Sequence, residues 1–166
     1  AEFNRWAREQ LTQSDIDTVV MVGFWDLYRT LPMYEEGDCS SGFGTRVEPS
    51  AYATRLDEAV RELSAGRRLI LVHQVPTSSV EVPASLARAA WYGSPALTLT
   101  RHEAVSDYAE ALLEPIEHPG VTHFEPADVL CDDSSCAIEE DGQPLYFDKT
   151  HLTEVGGRRV VDALPL

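Results

Sequence analysis

Thr18-Val-Val-Met-Val-Gly23 is a short, unbroken apolar run rich in β-branched residues. It reads as a strand covered on both faces, because a half-covered strand would alternate apolar and polar positions. Leu69-Ile-Leu-Val72 is a second run of this kind, placed just after the helix-breaking Gly66. Between the two, the stretch from Pro49 to Leu63 puts Tyr52, Leu56, Ala59, Val60 and Leu63 on one helical face, with Arg and Glu elsewhere. A strand–helix–strand unit closes as a right-handed parallel crossover. The chain therefore predicts an α/β fold built on a parallel sheet.

Outward from that unit the pattern continues. An Ala-rich helix is expected from Pro83 to Trp91, and another from about His102 to Pro115 with Ala104, Tyr108, Ala111 and Leu112 facing inward. Val121-Thr-His-Phe124 reads as a third, shorter strand, and Pro144-Leu-Tyr-Phe147 as a brief extended piece. Thr153 is placed to cap a last helix running to about Leu164. Two long irregular stretches, 31–48 and 74–82, remain, and such loops often line a site in α/β scaffolds. No repeat or linker divides the chain, so residues 1–166 are expected to form a single domain.

Composition bounds the function. Of 166 residues, 43% are apolar and 25% charged, as in ordinary globular proteins. Acidic side chains outnumber basic ones 28 to 13, for a formal charge of -15. Such a surface repels phosphate backbones, which argues against nucleic acid as a partner. No apolar run approaches the length of about 18 residues that a membrane-spanning helix needs. The opening AEFNRWAREQ lacks the basic and apolar regions of a signal peptide. Any export signal is thus expected upstream.

The strongest chemical signal is Tyr146-Phe-Asp148-Lys-Thr-His151-Leu-Thr153, followed by Gly156-Gly157. Two residues separate the carboxylate from the imidazole, so Asp148 can meet the Nδ1–H of His151 and leave Nε2 free for a nucleophile's proton. A bare Asp-x-x-His is most often a surface ion pair; the surrounding string is what singles this one out. Cys131 and Cys136 in CDDSSC have a spacing compatible with a small disulfide-closed loop, which would leave Cys39 over. No metal site is expected: zinc would want further ligands, and Asp132, Asp133, Glu139, Glu140 and Asp141 lack the register of a calcium loop. His73 reads as a satisfied structural histidine, and His102, His118 and His123 show no ligand pattern. Trp25 and Tyr28 are candidates for stacking on a sugar, though aromatics at a helix start are more often core.

The closing string resembles the last block of the SGNH hydrolase superfamily, in particular the extracytoplasmic SGNH domains fused to membrane O-acyltransferases of bacterial surface polysaccharides. The matching residues are Leu130-Cys131-Asp132, Cys136, Asp141-Gly142, Leu145-Tyr146, Asp148, His151-Leu152-Thr153 and Gly156-Gly157. Thr18 to Trp25 with Tyr28 is similar to that group's strand ending in tryptophan and tyrosine. Leu69 to Pro76, Val82-Pro83 and Leu86-Ala87 are similar to its third strand and following proline segment. The resemblance implies a three-layer α/β/α sandwich of SGNH/flavodoxin-like type and a Cys131–Cys136 bridge. It also implies roles for Asp148 and His151 as acid and base of a Ser-His-Asp triad acting, without a cofactor, between an acyl donor and a carbohydrate acceptor. An upstream membrane acyltransferase domain would tether the domain on the periplasmic or outer side of the inner membrane.

The sequence departs from that family's pattern in its nucleophile. No Gly-Asp-Ser occurs, and Gly37-Asp38-Cys39-Ser40 follows the wrong strand, so neither Cys39 nor Ser40 is taken as nucleophile. The family's first strand, with its serine, is therefore expected to be missing from this chain, and the fragment alone to be inactive. The Gly-x-Asn-Asp block is absent too, with His73-Gln74 nearby, and Gly23 is the candidate oxyanion donor. Two functions follow. One is acyl transfer or ester hydrolysis on cell-surface carbohydrate with the serine supplied from outside; the other is a non-catalytic module that binds glycan or protein.

Overall fold

The computed structural model describes residues 6, 9–11, 15–27, 33–34, 46–47 and 49–166. Leu69, Ile70, Leu71 and Val72 are all buried, as the apolar run requires. In chain order the elements are β1 (Thr18–Met21), β2 (Met33–Tyr34), β3 (Arg46–Val47), α1 (Pro49–Ser64), β4 (Arg68–Val72), α2 (Val82–Tyr92), β5 (Leu99–Thr100), α3 (Arg101–Ala104), α4 (Asp107–Leu113), β6 (Val121–Phe124), α5 (Pro126–Leu130), β7 (Ser135–Cys136), β8 (Glu139–Glu140), β9 (Gln143–Pro144) and α6 (Glu154–Asp162).

The central sheet has the order β1-β4-β6, all parallel. Parallel neighbours need long crossovers, and helices supply them: α1 between β1 and β4, and α2 to α4 between β4 and β6. The class is α/β with a parallel sheet, as the sequence predicts. Val19 pairs with Leu69 and Met21 with Leu71, so β1 lies directly against β4 without a gap between them. Val20 and Val22 are exposed, which corrects the expectation of a strand covered on both faces: Val19 and Met21 face the core, while the opposite face of β1 is bare among the described residues.

Side-chain alternation splits the core into two. On one face Leu69 and Leu71, with Val19, Met21 and Val121, meet Leu56 and Val60 of α1 and Ala109 and Leu113 of α4. The second cluster gathers Val82, Leu99, Leu130, Ile138, Leu145, Tyr146 and Val160, with Phe124 packed against it from the sheet. Residues 122 and 124 point opposite to 121 and 123, which is how β6 serves both layers.

The expected helix from His102 to Pro115 is two helices. Val105 is extended (φ -81°, ψ 133°), and the Ser106 side chain caps α4 by accepting the Ala109 amide at 3.2 Å. The cap resets the helical phase, so Ala109 and Leu113 turn inward while Ala111 is exposed. In the 31–48 stretch, β2 and β3 pair antiparallel; Cys39 and its neighbours lie outside the described residues. Residues 74–81 form no element, but the Thr77 amide donates to Ala104 O (2.9 Å) and the Ser78 amide to Lys149 O (2.8 Å). The second bond ties this loop to the Asp148–His151 segment.

Candidate active site

Local hydrogen bonds shape the segment from Leu145 to Gly156. Tyr146 bridges Leu152 antiparallel, the Phe147 amide donates to His151 O (2.7 Å), and the Thr153 amide donates to Leu145 O (2.9 Å). Thr153 caps α6 as its sequence position predicts: its hydroxyl accepts the Gly156 amide at 3.3 Å and donates to Pro144 O at 2.8 Å. Gly156 lets α6 approach this closely, because a Cβ there would sit 2.3 Å from Leu145 O. Residues 147–151 are thereby held as a closed loop between a buried strand-like piece and a capped helix.

Within the loop, Asp148 folds back on its own backbone. Its Oδ1 accepts the amides of Thr150 (2.7 Å) and His151 (2.8 Å), while Oδ2 accepts from His151 Nδ1 at 2.7 Å. The two backbone N–H groups, foremost that of Thr150, hold the Asp148 carboxyl well below the usual carboxylate range, with the His151 ring adding to the effect. A fixed anion against Nδ1 sets the imidazole tautomer with its proton there. The His151 side chain is 74% exposed, so Nε2 is the ring nitrogen left for a reacting partner. Phe147 beside it is exposed as well.

Cys131 and Cys136 form the disulfide that the resemblance implies, with an S–S distance of 2.04 Å. It closes a loop in which Asp132 Oδ1 accepts the amides of Ser134 (2.8 Å) and Ser135 (2.7 Å). Those N–H donors, Ser135 first, pull the Asp132 carboxyl down to about 2. Asp132 is thus engaged by its own turn. Cys136 also pairs with Leu99 across β5–β7, so the bridge anchors that strand pair.

Trp25 needs a correction as a sugar platform. It is 2% exposed, sits in the first core cluster, and its Nε1 donates to Val72 O at 2.9 Å. A ring buried in this way has no face to offer a ligand; the apolar surroundings of β1 and β4 claim it. Tyr28 lies outside the described residues. Gly23 stands just past β1, over the Trp25 ring, whose atoms come within 3.4 Å of where a Cβ would be. Sequence reasoning passed over a different convergence: His73, His123, Glu110 and Glu125 meet at the end of β4 and β6. Their sequence separations hide it.

The family model described as "SGNH domain (fused to AT3 domains)" matches residues 1–165. This chain belongs to that SGNH family. No curated protein matches it. Among solved structures it is similar to the periplasmic domain of the lipopolysaccharide acetyltransferase of Salmonella ser. Paratyphi A, at 15% identity and a TM-score of 0.49. That match covers 68% of this chain and 46% of the solved one, so the SGNH chain described here spans less than half of its neighbour. Among the described residues, no helix of this SGNH domain is long and apolar enough to cross a membrane.

Proposed function

We propose that this chain supplies the acid–base pair of a Ser-His-Asp centre that moves acetyl or related acyl groups to or from hydroxyls of cell-surface carbohydrate. The observation that carries the reading is the 2.7 Å contact from His151 Nδ1 to Asp148 on a loop that leaves the other ring nitrogen exposed. Membership of a family of SGNH domains fused to AT3 domains supports it. The serine comes from residues outside this chain, since no Gly-Asp-Ser is present.

As the serine oxygen bonds the acyl carbon, His151 Nε2 takes the hydroxyl proton, and the imidazolium so formed is stabilised by Asp148. The leaving alcohol then departs with the Nε2 proton, leaving an acyl-serine. An acceptor hydroxyl, or water, attacks next, giving its proton to Nε2, which passes it to the serine oxygen as the acyl–serine bond breaks. The Gly23 amide is the proposed donor to the oxyanion. The disulfide supports an oxidising, extracytoplasmic setting. The fusion described for the family supports tethering through a membrane acyltransferase domain.

The binding-module alternative is weakened by burial of Trp25, one of its two aromatic anchors. Fluorophosphonate labelling of the complete polypeptide separates the two readings. A serine labelled in the native protein and silent in His151→Ala is the expected outcome. A polypeptide that resists the label while still binding glycan would favour the module.

A further inference from the structure

The second convergence involves neither Asp148 nor His151. His73 continues β4, its amide donating to Phe124 O at 2.9 Å, so its side chain lies on the face of Leu69 and Leu71. His123 occupies the same face of β6, and α4, which packs there, brings Glu110. Glu125 arrives two residues after His123.

Counting ring protons shows what this arrangement lacks. His123 Nε2 lies 2.9 Å from Ile116 O, which only accepts, so that nitrogen carries a hydrogen. Neutral His123 then presents a lone pair at Nδ1, and His73 Nε2, 2.7 Å away, must donate to it. That leaves His73 Nδ1 as a bare lone pair facing Glu125 Oε1 at 2.8 Å and Glu110 Oε2 at 3.1 Å. Three electron-pair donors cannot face one another without a positive centre among them. A proton on His73 Nδ1 would fill that place and leave the group one charge negative; a divalent ion would fill it and balance both carboxylates.

We propose that His73 Nδ1, Glu110 and Glu125 bind a divalent transition-metal ion of the zinc class, with His123 as the positioning residue that fixes the His73 ring. The three ligand atoms lie within 4.8 Å of one another. Donors about 2.1 Å from one ion stand roughly 3.0–3.4 Å apart, so a small adjustment of the carboxylates completes the shell. Imidazole and carboxylate form a ligand set suited to such ions, and an acceptor for the ligand's other N–H, here His123 Nδ1, orients the ring from the outer shell. The carboxylates are 24% and 32% exposed, which leaves a side for ion entry and for water as the remaining ligand. The ion would clamp α4 and the turn after β6 to the end of β4. This role is structural and independent of acyl transfer, so its failure would leave the acyl reading untouched.

Zinc titration of the chelator-treated chain by calorimetry, paired with long-range proton–nitrogen spectra of the histidines, tests it. One zinc per chain is expected, with the His73 Nδ1 resonance moving on binding. Glu125→Gln should weaken affinity at least about tenfold, and His123→Gln roughly 10–100-fold, as for outer-shell partners elsewhere. Zinc that moves the His151 signals but not those of His73 would be surface chelation and would overturn the proposal. So would unchanged affinity in Glu125→Gln. If that variant fails to fold, the spectra of the native chain decide alone.

Discussion

Two adjacent glycines in α6 should respond to the same substitution in opposite directions. A Cβ at Gly156 would lie 2.3 Å from Leu145 O, more than an ångström inside ordinary contact, whereas one at Gly157 meets nothing within 4 Å. The oxygen in the way is also the acceptor for the Thr153 amide at 2.9 Å, so relief by moving the helix breaks that bond. Overpacking of this sort costs about 1–3 kcal/mol, and the lost hydrogen bond about 1 kcal/mol more. Gly156→Ala should therefore destabilise by roughly 2–4 kcal/mol, an appreciable part of a domain's typical 5–15 kcal/mol. At about 2–4 °C per kcal/mol for a domain of this size, the melting temperature falls by about 4–16 °C. Gly157→Ala removes helix-disfavouring glycine entropy without a clash and should stabilise by about 0.5–1 kcal/mol. Thermal and urea unfolding followed by circular dichroism measure both. A Gly156→Ala variant that melts at or above the native temperature, or a Gly157→Ala variant as damaged as its neighbour, would refute the packing of α6 on Leu145 and with it the frame that holds the Asp148–His151 loop.

Other expectations concern charge and covalent closure. Burial pushes the Tyr146 phenol up to about 12, against an ordinary value near 10. The folded state thus favours the neutral form, so this contribution is intact below pH ~10 and disappears as pH rises through the folded value. Alkaline unfolding in that window, followed by phenolate absorbance, should be blunted in Tyr146→Phe. That variant should cost little at neutral pH, since the hydroxyl has no hydrogen-bond partner among the described residues. For Asp148 the sign is reversed: its folded value is depressed, so its contribution is present above the unfolded value near 3.9 and vanishes as pH falls through the folded one. Carboxyl carbon shifts between pH 7 and 4 should therefore show Asp148 still ionised. Replacing Cys131 and Cys136 together by serine opens a loop of sequence separation 5, for which chain entropy predicts a loss of about 2 kcal/mol in urea unfolding.

How much of this was legible in the sequence depended on the range of the interactions. β4 was readable because a strand buried in a parallel sheet is apolar at successive positions, whereas β1 has the same apolar run with Val20 and Val22 exposed, so its run marked a strand but not its cover. Asp148 and His151 were readable because three residues of chain bring them together, and Thr153 because capping is local. The break at Ser106 was missed: hydropathy kept its helical period while one side chain captured the Ala109 amide. Trp25 was ambiguous since an aromatic beside a strand suits a core and a sugar platform equally; only its bond to Val72 O decides. The His73 cluster was invisible because its members come from 37 and 50 residues apart, and nothing local marks either carboxylate as a partner. The two-residue strands β5 and β7 carry too little pattern to be seen.

The most direct test of the central claim is acetyl turnover on a carbohydrate ester by the complete polypeptide carrying His151→Ala. Loss of the base that accepts the serine proton predicts a fall of at least about 10³-fold in kcat with the fold intact. Turnover near the native rate would contradict the assignment of His151.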